Sequence, residues 1–117
     1  MVSAAGLPPY LRHRHAKHDV DVLALALEGY ASEHGKYPQG TPSQIAALLR
    51  GQAVGEQNQE KLDYVEAASH EMNAAGEFID PWGTPYRLLP GSPSQVYSYG
   101  PNHLDESGGG DDVASWK

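Results

Sequence analysis

The chain has 117 residues, a formal net charge of −7, 39% hydrophobic residues and no cysteine. That length supports one domain with a modest core. The missing cysteines exclude disulfides and thiolate metal sites, the acidic surplus argues against nucleic acid as a partner, and no apolar run reaches the roughly 18 residues a membrane span needs.

The charge is unevenly placed. Residues 1–50 carry five Lys or Arg against four acids, and residues 51–116 carry two against eleven. An acidic second half suits a cation better than an anion. The start Met1-Val2-Ser3-Ala4-Ala5-Gly6-Leu7-Pro8-Pro9-Tyr10 is too short and too broken for a signal peptide.

Residues 10–34 read as a helix, because Ala16, Val20, Leu23, Leu27 and Tyr30 recur at helical spacing and form one apolar stripe. Pro8-Pro9 would bend any helix continuing upstream, Gly35 is a natural stop, and Pro38 prevents a restart. His13, His15 and His18 lie among Arg12, Arg14 and Lys17. His15 and His18 share a helix face, which permits transition-metal binding. The same cluster also reads as a basic, solvated helix start, and contact with lipid head groups fits it better than metal does.

Thr41-Pro42-Ser43-Gln44 has the pattern of a capping box, with Ile45, Ala46, Leu48 and Leu49 as the apolar face of a short helix that Gly51 ends. Residues 52–61 read as an exposed polar loop. Residues 62–65 read as a short strand or irregular packing, and 66–77 are ambiguous. From Phe78 the period becomes two. Residues 84–89 and 95–99 form an antiparallel hairpin around Pro90-Gly91-Ser92-Pro93, and residues 113–116 a last edge strand. The expected fold class is therefore α+β: a long N-terminal helix packed on a small antiparallel sheet, with a short second helix and a C-terminal loop. One domain over residues 1–117 is expected, with 1–35 as helix stem, 36–77 as helix and loop, and 78–117 as hairpin and C-terminal loop.

Little in the chain resembles an active site. Ser98, His103 and Asp105 lack a nucleophile elbow, and His70-Glu71 lacks the spacing of a zinc protease, so no enzyme activity is expected. Asp80-Pro81-Trp82-Gly83-Thr84-Pro85-Tyr86 reads as a rigid turn feeding a strand, with Trp82 buried against the helix. Asn102, Asp105, Glu106, Asp111 and Asp112 stand close together in a glycine-rich loop. Hard cations such as calcium take this kind of oxygen set, although the spacing is not that of an EF-hand. An open, solvated acidic loop is the other reading.

The Asp80-to-Tyr86 run, the strand ending Val96-Tyr97-Ser98-Tyr99-Gly100-Pro101, then Gly108-Gly109-Gly110-Asp111-Asp112-Val113 and the late Trp116 together resemble the major pseudopilin family of type II secretion systems. Ala24-Leu25-Ala26-Leu27-Glu28-Gly29-Tyr30, His34-Gly35-Lys36-Tyr37-Pro38 and Leu7-Pro8-Pro9-Tyr10 resemble the family's helix end, its exit and its helix middle. The resemblance implies a non-enzymatic, pilin-like subunit that self-associates into a helical periplasmic filament and helps export folded proteins. Other pilin-like roles in adhesion, motility or DNA uptake are the alternative. It implies other pseudopilins and secretion-system inner-membrane proteins as partners, an inner-membrane anchor and a methylated N-terminus in the full-length protein. The anchoring half-helix is expected to be missing here, with Met1 in its place, leaving a soluble monomer or weak dimer. The resemblance also implies calcium in the C-terminal loop, with Tyr99 and Leu104 as carbonyl donors and Asn102, Asp111 and Asp112 as side-chain donors. The family usually has Asp where Asn102 stands, and Asp105 is the other candidate for that role.

Overall fold

A computed structural model describes residues 4–65 and 70–117. A short 3₁₀ turn, Ala4–Gly6, leads into α1, Pro9–His34. Pro9 occupies the first helical turn, where its missing N–H has no intrahelical acceptor to lose. Gly35 closes the helix at φ 78°, donating its N–H to Ala31 O at 2.8 Å. The expected stripe is the buried face: Ala16, Val20, Leu23, Leu27 and Tyr30 are all buried, and Asp19 lies among them. Leu25 points the other way and is exposed.

The second helix, α2, spans Pro42–Leu49. Its capping box forms as the sequence predicts, with Gln44 N–H donating to Thr41 Oγ1 at 3.3 Å and Thr41 N–H donating to Gln44 Oε1 at 2.9 Å. Ile45, Ala46, Leu48 and Leu49 pack into the core beside α1.

The segment after α2 is the mostly exposed loop expected over residues 52–61, with one exception. Asn58 is buried, at 2% exposure. Its Nδ2 donates toward Leu48 O, Gln52 O and Leu62 O at 3.1–3.2 Å, and its Oδ1 accepts from Leu62 N–H at 3.0 Å. One amide thus satisfies the end of α2 and folds the loop back on it. Residues 62–65 form no strand; Tyr64 and Val65 N–H groups donate to Leu49 O instead. Of the ambiguous stretch 66–77, residues 66–69 lie outside the described residues. Asn73 to Glu77 makes a tight turn flanked by a bridge between Met72 and Phe78.

The sheet has the order β1-β2-β3 and is antiparallel throughout, with β1 Arg87–Leu89, β2 Gln95–Ser98 and β3 Val113–Ala114. The register pairs Leu88 with Val96 and Ser98 with Val113. All three strands are shorter than expected, for local reasons. Pro85 has no N–H for a ladder, and residues 84–86 pair back onto 78–80, where Asp80 N–H reaches Thr84 O and Tyr86 N–H reaches Phe78 O. Gly100 takes φ 73° and turns the chain out of β2. Ser115 Oγ accepts the Val96 N–H at 3.1 Å, taking the place of a ladder carbonyl and ending β3.

The sheet packs across α1. Val96, Val113 and Tyr86 meet Ala16, Val20, Leu23 and Leu27 in one apolar cluster. The hairpin is pinned at its turn by Ser94, whose hydroxyl and N–H both donate to Glu28 of α1, at 2.5 and 3.2 Å. The described residues contain no helix long and apolar enough to cross a membrane.

Candidate metal centre

The Asp80 turn and the acidic loop form one connected piece. Asp80 is buried, and its Oδ1 accepts the N–H groups of Trp82 and Thr84 at 3.0 and 2.8 Å. Its Oδ2 accepts the Ser98 hydroxyl at 2.6 Å, and Ser98 Oγ accepts the Gly100 N–H at 3.0 Å. The turn therefore reaches through the end of β2 to the first residue of the loop. Burial raises the Asp80 pKa, and the Ser98 hydroxyl and the two backbone donors oppose that rise. Pro81 and Tyr86 are deeply buried alongside Asp80. Trp82 lies against the helix as expected, packed on the core and set edge-on to His13 of α1 with ring centroids 5.2 Å apart, but it is half-buried rather than fully buried.

The loop from Tyr99 to Asp112 is shaped around carboxylates. At Gly100 a Cβ would strike the Asp111 carbonyl oxygen, which explains why glycine stands where the backbone crosses itself. Asp112 is buried and its Oδ2 accepts N–H groups from Glu106 and Gly108, at 3.0 and 2.9 Å. Asp111 Oδ2 accepts the Asn102 N–H at 3.1 Å. The second oxygens differ: Asp111 Oδ1 and Asp112 Oδ1 are both buried without a hydrogen-bond partner. Buried carboxylate oxygens without donors are costly unless a cation meets them.

Glu106, Asp111 and Asp112 each present an oxygen within 4.8 Å of the others. Asn102 Nδ2 donates to Glu106 Oε1 at 2.9 Å, and Asn102 Oδ1 accepts the Leu104 N–H at 2.9 Å. Hydrogen bonds from Asn102 and Asp111 hold the Glu106 carboxyl below its usual pKa. So of the expected ligands, Asn102, Asp111 and Asp112 come together, Leu104 is tied to Asn102 by its N–H, and Tyr99 stands at the loop entrance. Leu104 is exposed and Tyr99 half-buried.

Asp105, the alternative to Asn102, faces elsewhere. Its Oδ1 accepts the Tyr97 hydroxyl at 2.8 Å and the Ser107 N–H at 3.0 Å, and these bonds hold its pKa down. Glu106 turns toward Asp111 and Asp112 instead, a residue the sequence reading counted in the loop's oxygen set but not among the ligands. Nothing in the spacing separates Asp105 from Glu106; the strand tyrosine that captures one of them does.

Ser98, His103 and Asp105 are engaged separately. Ser98 is bonded to Asp80, His103 Nδ1 lies 3.0 Å from Thr84 Oγ1, and Asp105 is held by Tyr97. The histidines at the start of α1 also part company. His13 is exposed beside Trp82, while His15 and His18 line a cleft with Asp19 and His70.

The chain has no significant match among curated proteins or among solved structures. The model of the family described as type II secretion system (T2SS), protein G, matches residues 11–116, a span that takes in both helices, all three strands and the acidic loop, and the chain belongs to that family of pseudopilins.

Proposed function

We propose that this chain is the repeating subunit of a periplasmic pseudopilus, polymerised through N-terminal apolar helices, whose growth helps move folded proteins out of the cell. The observation that carries the reading is the family match along residues 11–116. The family is structural and not enzymatic, and the separate bonding of Ser98, His103 and Asp105 agrees with a non-catalytic role. Residues 1–117 act as one unit in this reading, anchored in the inner membrane in the full-length protein. Its partners are copies of itself, other pseudopilins and inner-membrane secretion proteins.

Calcium fills the acidic loop in this reading. Asp111, Asp112 and Glu106 supply carboxylate oxygens, and the backbone carbonyls of Tyr99 and Leu104 with the Asn102 amide oxygen complete the set. The support is the pair of buried, partnerless oxygens on Asp111 and Asp112 and the gathering of three carboxylates within 4.8 Å. Calcium would neutralise that charge and fix the loop against β2 and β3.

Replacement of the major pseudopilin in a bacterium with a working type II system tests the function. The full-length protein is expected to restore export of a secreted reporter. Export no higher than in the deletion strain, with the protein present in the membrane, overturns the assignment.

A further inference from the structure

The face of α1 turned away from the core has a pattern of its own. Tyr10, Arg14, Lys17, Asp21, Leu25 and Glu28 follow one another at spacings of four, three, four, four and three, so they form one stripe opposite the buried one. Its charge is sorted by position. The first half carries an aromatic ring and two cations, and the second half carries two carboxylates and an apolar side chain. Tyr10 is 67% exposed and Leu25 is 71% exposed, so a large apolar group faces solvent at each end.

The two ends differ in shape. At Tyr10 the surface is a single exposed ring. At Leu25 it is a mainly apolar groove of about 410 Å³, bounded by Ala24 and Leu25 of α1, by Pro93 of the hairpin turn and by the exposed Trp116. Ser94 lines the same groove and donates two hydrogen bonds to Glu28, which fixes a carboxylate at its border. Among the cations, Arg12 is bonded to the carbonyls of Ala5 and Leu7, and Lys17 to Asp21 and the carbonyls of Ala114 and Ser115. Arg14 is exposed and makes no hydrogen bond or ion pair among the described residues.

We propose that this face binds a second copy of the chain head to tail: the Tyr10 ring of one molecule enters the Leu25–Trp116 groove of the next, and Arg14, one turn after Tyr10, meets Glu28, one turn after Leu25. This rests on the pseudopilus reading and adds to it a contact surface between neighbouring subunits. Charge selects the partner. At a net charge of −7 two copies repel on average, so they meet where a cation of one faces carboxylates of the other, and Arg14 is the cation that internal bonds leave available. Charge also selects the direction. A two-fold, antiparallel pairing that set Arg14 against Glu28 would put Asp21 against Asp21, because residue 21 lies midway between them. A parallel, staggered pairing avoids that repulsion. It leaves one ring and one groove open in every pair, so growth continues. The contact is small, and a dissociation constant of about 1 mM is expected.

Sedimentation equilibrium and amide NMR shifts of the chain at rising concentration test this. The mass should pass the dimer value without a plateau, with shifts confined to residues 10–14, 24–28, 93–94 and 116. Tyr10→Ala and Leu25→Glu should each stop self-association, and both side chains are exposed, so neither change reaches the core. Each variant keeps the half of the contact that the other lacks, so an equimolar mixture should form dimers and go no further. Arg14→Glu should weaken association about tenfold. A plateau at the dimer, or association indifferent to Leu25→Glu, overturns the proposal. So does a chain still monomeric at about 3 mM, which would show that some other molecule covers the groove. The export assay separates the two claims. A full-length wild type that exports, with Tyr10→Ala and Leu25→Glu exporting equally, removes this contact and leaves the pseudopilus reading. A wild type that fails while the contact is present in solution removes that reading and leaves the contact.

Discussion

Asp111 and Asp112 are neighbours with different duties. Asp112 Oδ2 organises the backbone by taking two N–H groups, and Asp111 Oδ2 takes one. Calcium is expected to raise the melting temperature, since a ligand that binds only the folded state stabilises it by mass action. Asp111→Ala should remove that shift with little change in the calcium-free protein. Asp112→Ala should remove it and also lower the calcium-free stability by about 1–3 kcal/mol, because two N–H groups lose their acceptor. Asn102→Asp should act in opposite directions: destabilising without calcium, where a new charge faces Glu106, and tightening calcium binding when the ion is present. Differential scanning fluorimetry with calcium or chelator reads all three, and an unchanged shift in Asp111→Ala would remove that residue from the ligand set. At this scale the sequence showed which residue types gather in the loop. It did not show which of Asp105 and Glu106 turns inward, because the Tyr97 hydroxyl that decides it comes from another element.

Helices were the most legible elements. The period of the α1 stripe and the reciprocal Thr41–Gln44 cap are local, and both are present as read. The strands were legible in place and order but not in length, because Pro85, Gly100 and Ser115 redirect backbone groups that a period-two pattern does not reveal. The loop after α2 was read as exposed, which holds except at one residue. A polar run gives no sign that one asparagine is buried, yet Asn58 at φ 53° joins Leu48, Gln52 and Leu62. Asn58→Ala should strand those carbonyls and the Leu62 N–H, and should force a β-carbon residue with no polar compensation into a left-handed conformation. A loss of about 2–4 kcal/mol in urea unfolding is expected. A loss below about 0.5 kcal/mol, the range of ordinary surface changes, would show that the tie carries little of the loop's stability.

For the whole molecule, the tyrosines give a common pH response. Burial, then the Asp105 contact, pushes Tyr97 up to about 12. Burial raises Tyr86 well above its ordinary value, with the Asp19 charge adding to it, and burial also raises Tyr30 and Tyr64. A folded-state pKa above the unfolded one means that the folded form holds its proton more tightly. The associated stability is complete below the unfolded value of about 10 and is lost as pH rises through the folded values. Chemical denaturation between about pH 9 and 12 should show that decline, and Tyr97→Phe should make it shallower. A flat profile across that window would contradict the burial of these hydroxyls. The residues that create this response meet across long stretches of chain: Tyr86 with Asp19, and Asp19 with His70. Such meetings leave no periodic trace, which is why the cleft between them was invisible when His15 was read only beside His13 and His18.

Lys17 has a consequence for how this molecule meets its own kind. Ala114 is opposite Tyr97 in the one pair of β2 and β3 whose backbone groups face away from each other, so its carbonyl lies on the open border of the sheet. Lys17 Nζ donates to that carbonyl at 3.1 Å and to Ser115 O at 3.2 Å, and Lys117 N–H reaches the same Ala114 oxygen at 3.3 Å. An incoming strand would find its acceptor already taken and a positive charge in its path. For a protein proposed to polymerise, this separates two kinds of growth: helix-led assembly remains open, while amyloid-like extension from β3 is blocked.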